Sequence, residues 1–293
     1  MSDRKFRFGL VAGNADTMDA WAATARRAED AGFDVLLSPD TPNVCAPFVS
    51  LAAAAAVTTR LRLGTFVMAV PMRSPGLVAW ETASLDRLSG GRFELGIGAG
   101  RPDAEGEAAL LGAAWRSPKG RVEQVAETIG EVRRLHAEAL AQPDRRAAGY
   151  LRPEQRPGPR VLVAGAGRSL LSVAARHADM VAFGLAGDAG EAALAEKVAL
   201  VRSEAGDRFD DLELSLNIWA AGDSTLPPWL SSSFGLSLDT AVDNQVLAVL
   251  NGSPTEIADV LVRRRDQFGV SYITVNSLAL DGFAPVIELL AGR

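Results

Sequence analysis

The tetrapeptide Gly-Ala-Gly-Arg occurs twice in the chain, as Gly98, Ala99, Gly100 and Arg101 and again as Gly165, Ala166, Gly167 and Arg168, each time after a run with strand character. Each copy offers backbone N–H groups unencumbered by side chains and one guanidinium, a combination suited to phosphate. The second copy also leads into a helical pattern from Ser169, where the helix dipole adds to the attraction for an anion. Two such corners on one rim suit a single phosphate; glycines that merely permit tight strand-to-helix turns are the alternative reading. A dinucleotide fingerprint fits poorly, because Leu170 stands where its third glycine belongs. One cysteine, Cys45, and two histidines, His136 and His177, make no zinc set, and no Gly-x-Ser-x-Gly elbow is present. Both histidines fall within helical patterns and read as structural. Chemistry therefore has to come from a bound cofactor, with no metal.

The first corner is positioned by the stretch 60–101. It begins with a β-rich apolar segment, Leu61 to Met68, and Ser74-Pro75 can then start a helix because proline in the first turn gives up no needed N–H. Leu77, Val78, Trp80, Ala83, Leu85 and Leu88 keep helical spacing, and Ser89, Gly90 and Gly91 end it. The next strand loses its side chains at Gly96, Gly98 and Gly100, where another molecule can lie against bare backbone. A strand–helix–strand unit of this length implies a parallel crossover, and parallel strands bind ligands at their C-terminal ends.

Leu63-Gly64-Thr65, the run from Leu85 through Asp86, Arg87, Leu88, Ser89, Gly90, Gly91 and Arg92 to Phe93, and the following Leu95-Gly96-Ile97-Gly98-Ala99-Gly100 together resemble the bacterial luciferase-like monooxygenase family, most of all its coenzyme F420-dependent branch. The resemblance extends over nearly the whole chain. It implies a (β/α)8 barrel whose two glycine corners contact the cofactor phosphate, through Gly98, Ala99, Gly100, Gly165, Ala166, Gly167, Arg168 and Ser169. It also implies a non-prolyl cis peptide behind the central ring of the cofactor, at Phe66–Val67. Asp40 stands where F420-using relatives have an acidic residue touching ring or substrate, which makes it the candidate catalytic group. Relatives often follow that residue with histidine; here Thr41 follows, which removes the usual proton shuttle.

Strand and helix patterns alternate along the rest of the chain. Strands are expected at Phe6 to Ala12, Phe33 to Ser38, Leu61 to Met68, Arg92 to Gly100, Arg160 to Ala164, Met180 to Phe183, Leu212 to Trp219 and Val270 to Asn276, each followed by helical sequence. That repetition is what a (β/α)8 TIM barrel requires, here as a single luciferase-like domain over 1–293 with insertion loops at the C-terminal rim. A doubly wound sheet needs fewer strands and a switch point. The stretch 142–159 reads as a loosely structured surface excursion, 238–250 as helical, and 221–235 as a loop in which Trp219, Trp229 and Phe234 could act as an aromatic lid or a solvent-facing connector. Asn14, Asn217 and Asn276 fall near strand ends and could bond substrate or simply make turns. Asp86, Arg87 and Glu81 read as ion pairs on helix faces or at the barrel base.

With 48% hydrophobic residues, 6% aromatic and a net charge of −6, the chain can fill a core with Ala, Leu and Val but shows no basic stripe for nucleic acid. The lone cysteine fits a reducing cytoplasm, and no apolar run is long enough for a membrane span. The alanine run from Ala52 to Ala56 makes a thin helix suited to close packing, and with the resemblance it points to a homodimer. The reading is an F420-dependent oxidoreductase that passes hydride to or from a small organic substrate, with reduction of an activated C=C or C=N favoured. Its alternatives are an FMN-dependent monooxygenase using O2 and a non-catalytic cofactor-binding homologue.

Overall fold

The computed structural model describes residues 4–13, 15–144, 149–222 and 237–293. Its strands are β1 (Arg7–Val11), β2 (Val35–Ser38), β3 (Arg62–Thr65), β4 (Met68–Ala69), β5 (Phe93–Gly98), β6 (Val161–Gly165), β7 (Met180–Phe183), β8 (Glu213–Ile218), β9 (Ala220–Ala221), β10 (Val249–Leu250) and β11 (Val270–Asn276). All but β9 and β10 belong to one 9-stranded sheet in the order β3-β2-β1-β11-β8-β7-β6-β5-β4, and the pairing of β3 with β5 closes it into a ring. Because β4 carries on the line of β3, the ring has eight staves, the TIM barrel expected from the sequence. The outer helices are α1 (Met18–Asp30), α2 (Pro47–Val57), α3 (Pro75–Leu88), α4 (Glu105–Leu110), α5 (Pro118–Ala141), α6 (Arg168–His177), α7 (Glu191–Ala205), α8 (Leu238–Asp243), α9 (Pro254–Phe268) and α10 (Leu280–Leu290). Among the described residues no helix is long and apolar enough to cross a membrane.

Local chemistry starts and stops these elements where the sequence says it should. Ser74 and Ser117 each accept the amide three residues on, with proline at the first turn of α3 and α5, and Ser253 with Glu256 makes a reciprocal capping box on α9. Gly269 ends α9 in the left-handed region at φ 78°. Along the staves side chains alternate: Leu10, Leu36, Leu63, Leu95, Val163, Val181, Leu216 and Ile273 point outward into the layer shared with the helices. Val35, Leu37, Leu162, Met180, Ala182 and Tyr272 point inward and fill the lumen, so the barrel is a packed core and no pore.

Below that layer the N-terminal end of the barrel is closed by charge. Glu94 accepts from Arg7 Nη2 at 2.7 Å and Arg62 Nε at 2.6 Å, while Glu213 accepts from Arg7 Nη1 and Arg160 Nη1, both at 2.7 Å. The part of 142–159 that is described is also drawn in here, contrary to the loose excursion expected. Asp86, fully buried on α3, accepts from the Glu154 and Gln155 amides and from Gln155 Nε2 at 2.6–2.9 Å, and Gln155 also bonds the Phe93 carbonyl and Arg62. Asp86 is thus satisfied by backbone and amide donors, not by Arg87, which donates to the Gly149 carbonyl.

A second departure lies at 238–250. The helix stops at Asp243, Gln245 takes φ 51°, and Val246 to Leu250 run buried into β10, which pairs in parallel with β9. A short wholly apolar run carries no period that separates buried strand from helix.

Candidate cofactor site

The C-terminal rim is organised by the turn between β3 and β4. The Phe66–Val67 peptide is cis, as the family resemblance implies. Thr65 Oγ1 donates to the Gly96 carbonyl at 2.5 Å and accepts the Gly96 amide at 2.9 Å, and the Phe66 amide bonds the Ser38 carbonyl at 2.8 Å. The turn therefore lies across β5, and this gives two of the glycines a reason different from ligand contact. A Cβ on Gly96 would sit 1.9 Å from the Thr65 carbonyl oxygen, and one on Gly98 would sit 2.9 Å from Val67 Cγ2.

The other glycines divide in the same way. Gly100, at φ 77°, faces Trp115, whose Cη2 would be 2.7 Å from an added Cβ, and Gly165 faces Leu170 at 2.3 Å. An added Cβ on Gly167 meets nothing within 4 Å. The bare backbone at the first corner is thus largely covered by the chain itself, and the second corner is open at Gly167. The corners leave neighbouring staves: Ile97 pairs with Val163, and an added Cβ on Gly98 would be 3.3 Å from the Ala164 carbonyl oxygen.

Helix α6 begins directly after the second corner. Its N-cap, Gly167, provides no side-chain cap, so the first-turn amides after it lack a side-chain partner. Arg168 and Ser169 are exposed there, and the Arg168 guanidinium has no partner among the described residues. Lys197 Nζ, which the sequence did not single out, donates to the Ala166 carbonyl at 2.6 Å. Arg101 is engaged within its own loop, with Glu107 Oε1 at 2.5 Å and Asp103 Oδ1 at 3.3 Å. Burial opposes its charge, but these two carboxylates outweigh that and raise its pKa. Arg121 is another residue the sequence reading missed. Its Nε bonds the Ala99 carbonyl at 3.1 Å and its guanidinium lies 4.3 Å over the Trp115 ring, which ties the first corner to α5.

Asp40, two residues beyond β2, accepts from the Ala69 amide and from both terminal nitrogens of Arg73. Thr41 Oγ1 donates to Glu107 Oε1 at 3.2 Å. Half-buried Val11, Phe66, Val67 and Ala164 pack on the lumen core and form an apolar floor beneath the rim. Thr274 Oγ1 donates to Asn217 Oδ1, whereas Asn276 caps the turn after β11 through the Leu278 amide. Trp219 packs with Ala220, Ala241 and Val246 beside β9 and β10. Asn14, Trp229, Phe234 and most of the loop 221–235 lie outside the described residues. Cys45 is exposed.

His136 is buried with Nε2 2.9 Å from the Ala79 carbonyl, and burial lowers its pKa. His177 ends α6, with its pKa lowered by partial burial and then by Arg133, Arg176 and Arg208. Neither belongs to the rim. Among the described residues no group of His, Cys, Asp and Glu could hold a metal ion.

Comparison with known proteins agrees with this architecture. An F420-dependent glucose-6-phosphate dehydrogenase of Beutenbergia cavernae is 35% identical over 167 residues, 52% of this chain and 48% of that protein. The chain spans about half the length of that relative and 16% of a 4-hydroxyprotoasukamycin monooxygenase from Streptomyces nodosus subsp. asukaensis, 47% identical over 58 residues, 20% of this chain. Among solved structures, the oxygenating constituent of 3,6-diketocamphane monooxygenase from Pseudomonas putida, in complex with FMN, superposes with a TM-score of 0.76 at 16% identity over 99% of both chains. The F420-dependent tetrahydromethanopterin reductase of Methanopyrus kandleri gives 0.73 at 16% identity over 98% of both. At such identities these two report the fold. The profile described as luciferase-like monooxygenase matches residues 5–225, and the chain belongs to that family.

Proposed function

We propose that the chain is a coenzyme F420-dependent oxidoreductase acting on a small organic substrate, with reduction of an activated C=C or C=N bond as the favoured reaction. The observation that carries this reading is the start of α6, where uncapped amides, an unpartnered Arg168 and open space at Gly167 come together beside the first glycine corner. A phosphate fits there, because amides at a helix N-terminus and a guanidinium both favour an anion. Ala99, Gly100 and Arg101 would flank it from the neighbouring stave. The apolar floor of Val11, Phe66, Val67 and Ala164 suits the flat face of a tricyclic ring, and by the family resemblance Asp40 would stand near it.

Bound there, the deazaflavin would supply the hydride. The protein's part is to orient the substrate and to keep water from the apolar floor. Relatives described as F420-dependent support the choice of cofactor. FMN with oxygen is the second reading, favoured by the shared fold of the FMN-bound monooxygenase.

Titration of the purified protein with coenzyme F420 and with FMN, followed by fluorescence and co-elution, tests the reading. Tight binding of F420 supports it, and preference for FMN selects the second. Binding of neither leaves a non-catalytic homologue. In the same reading the chain is one domain over 1–293, cytoplasmic and homodimeric. The exposed Val49 on the alanine-rich α2 and the exposed Trp80 on α3 offer the apolar contact, which light scattering during gel filtration would test.

A further inference from the structure

Both oxygens of the Asp40 carboxylate are engaged. Oδ2 accepts the Ala69 amide at 3.0 Å and Arg73 Nη1 at 2.5 Å, and Oδ1 accepts Arg73 Nη2 at 3.0 Å. The pair is sequestered, with the Asp40 side chain 7% exposed and that of Arg73 15%. Glu81 on α3 places Oε2 3.7 Å from Arg73 Nε, on the edge of the guanidinium away from Asp40, although burial and then Asp40 raise its pKa against the pull of Arg73. A two-pronged arginine–carboxylate contact is directional as well as charged, so it fixes where the carboxylate points.

Ala69 is the last residue of β4 and pairs with Gly98 of the first glycine corner. The turn at Phe66–Val67 is thus held from both sides. Thr65 bonds both backbone groups of Gly96 before it, and Asp40 holds the Ala69 amide after it. Arg73 follows a single tight turn, Val70–Met72, so the group that steers Asp40 is carried by the same short segment that Asp40 holds.

We propose that Asp40 and Arg73, backed by Glu81, are a clamp that sets the backbone between Val67 and Ala69 against β5, so that Asp40 is a positioning residue for the cofactor floor. The clamp itself is a property of the protein without ligand. Its consequence for a bound ring rests on the function proposed above.

Amide hydrogen exchange of the ligand-free protein, resolved at Ala69, tests the clamp. Asp40→Ala and Arg73→Lys should each speed exchange at Ala69 by about tenfold or more, while Asp40→Asn, which keeps an acceptor oxygen, should restore most of the protection. Arg160→Met at the opposite end of the barrel is the control, expected to lower stability without selective exposure of Ala69. Should the single charge changes unfold the protein, the double variant Asp40→Asn with Arg73→Gln removes both buried charges and should fold with Ala69 faster than in wild type. Exchange at Ala69 that is unchanged in Asp40→Ala and Arg73→Lys, or raised equally by Arg160→Met, overturns the clamp. In a second arm, the dissociation constants of F420 and FMN are measured for the same set. Arg73→Lys should weaken the bound cofactor by about tenfold with Asp40→Asn close to wild type. Equal affinity in Arg73→Lys and wild type would show that the clamp does not serve the floor. If wild type binds neither cofactor, the functional reading fails and the exchange result still decides the clamp.

Discussion

The two ends of the barrel solve opposite problems with the same staves. At the N-terminal end β1, β3, β5, β8 and the residue before β6 all turn charged side chains inward, and three arginines meet two glutamates with each glutamate gripped twice. At the C-terminal end β5 turns glycines inward, β6 carries alanine and glycine, and half-buried Val11, Phe66 and Val67 are the largest apolar groups at the floor. A buried charge must be matched or the fold suffers, whereas a small or apolar rim leaves room for something else. The contrast separates the end that holds the molecule together from the end with capacity to spare.

The sharpest way to break this contrast is at the base. Glu94→Gln leaves Arg7 and Arg62 facing a neutral partner in a buried setting and should cost about 3–5 kcal/mol, read as a lower denaturant midpoint, with cofactor affinity of the folded fraction unchanged. Next comes Gly96→Ala, where the new methyl would meet the Thr65 carbonyl oxygen at 1.9 Å. A loss of about 1–3 kcal/mol is expected, this time together with weaker cofactor binding, because the floor itself is displaced. Arg168→Ala at the open corner should leave stability within about 0.5 kcal/mol of wild type and weaken F420 or FMN by about tenfold, measured by fluorescence titration.

The smallest effect belongs to an ion cluster on the outer helices. Glu191 is held by Arg263 and then, against a burial penalty, by Arg264, which together bring its pKa from 4.5 to about 2. Its folded-state pKa is depressed, so its contribution is complete above the unfolded value of 4.5 and is lost as the pH falls toward about 2. Urea unfolding of wild type and Glu191→Gln across that window should show the two curves converging at the acid end. Because the side chain is 31% exposed, the change should be small beside that at the base.

Much of the barrel could be read from the chain because each stave and its helix are local. Pro75 and Ser74, Ser117, Ser253 and Gly269 mark starts and stops without reference to anything distant. What could not be read depends on partners far along the chain. Gln155 closes the base through Asp86 and Phe93, more than 60 positions away, so a Pro- and Arg-rich segment gave no local sign of being structural. Arg73, Arg121 and Lys197 are single polar residues in loops or on helix faces, with no period or motif to set them apart from solvated ones. The glycines were visible, but their reasons were not: Gly96 and Gly98 accommodate the chain's own turn, Gly165 accommodates Leu170, and Gly167 alone of these keeps open space. The turn at Phe66–Val67 was legible through family resemblance alone, since nothing in the apolar run Leu61 to Met68 marks where the stave breaks.

Trp115 gives the rim an optical consequence. Its indole edge abuts Gly100 and its face lies beneath Arg121, which also holds the Ala99 carbonyl. A cofactor phosphate seated at the neighbouring Gly167 corner would alter the charge around that stack, so the indole's emission should change with occupancy and the change should vanish in Trp115→Phe. The molecule thus carries a built-in dye at the doorway, one that reports arrival without a label and without turnover.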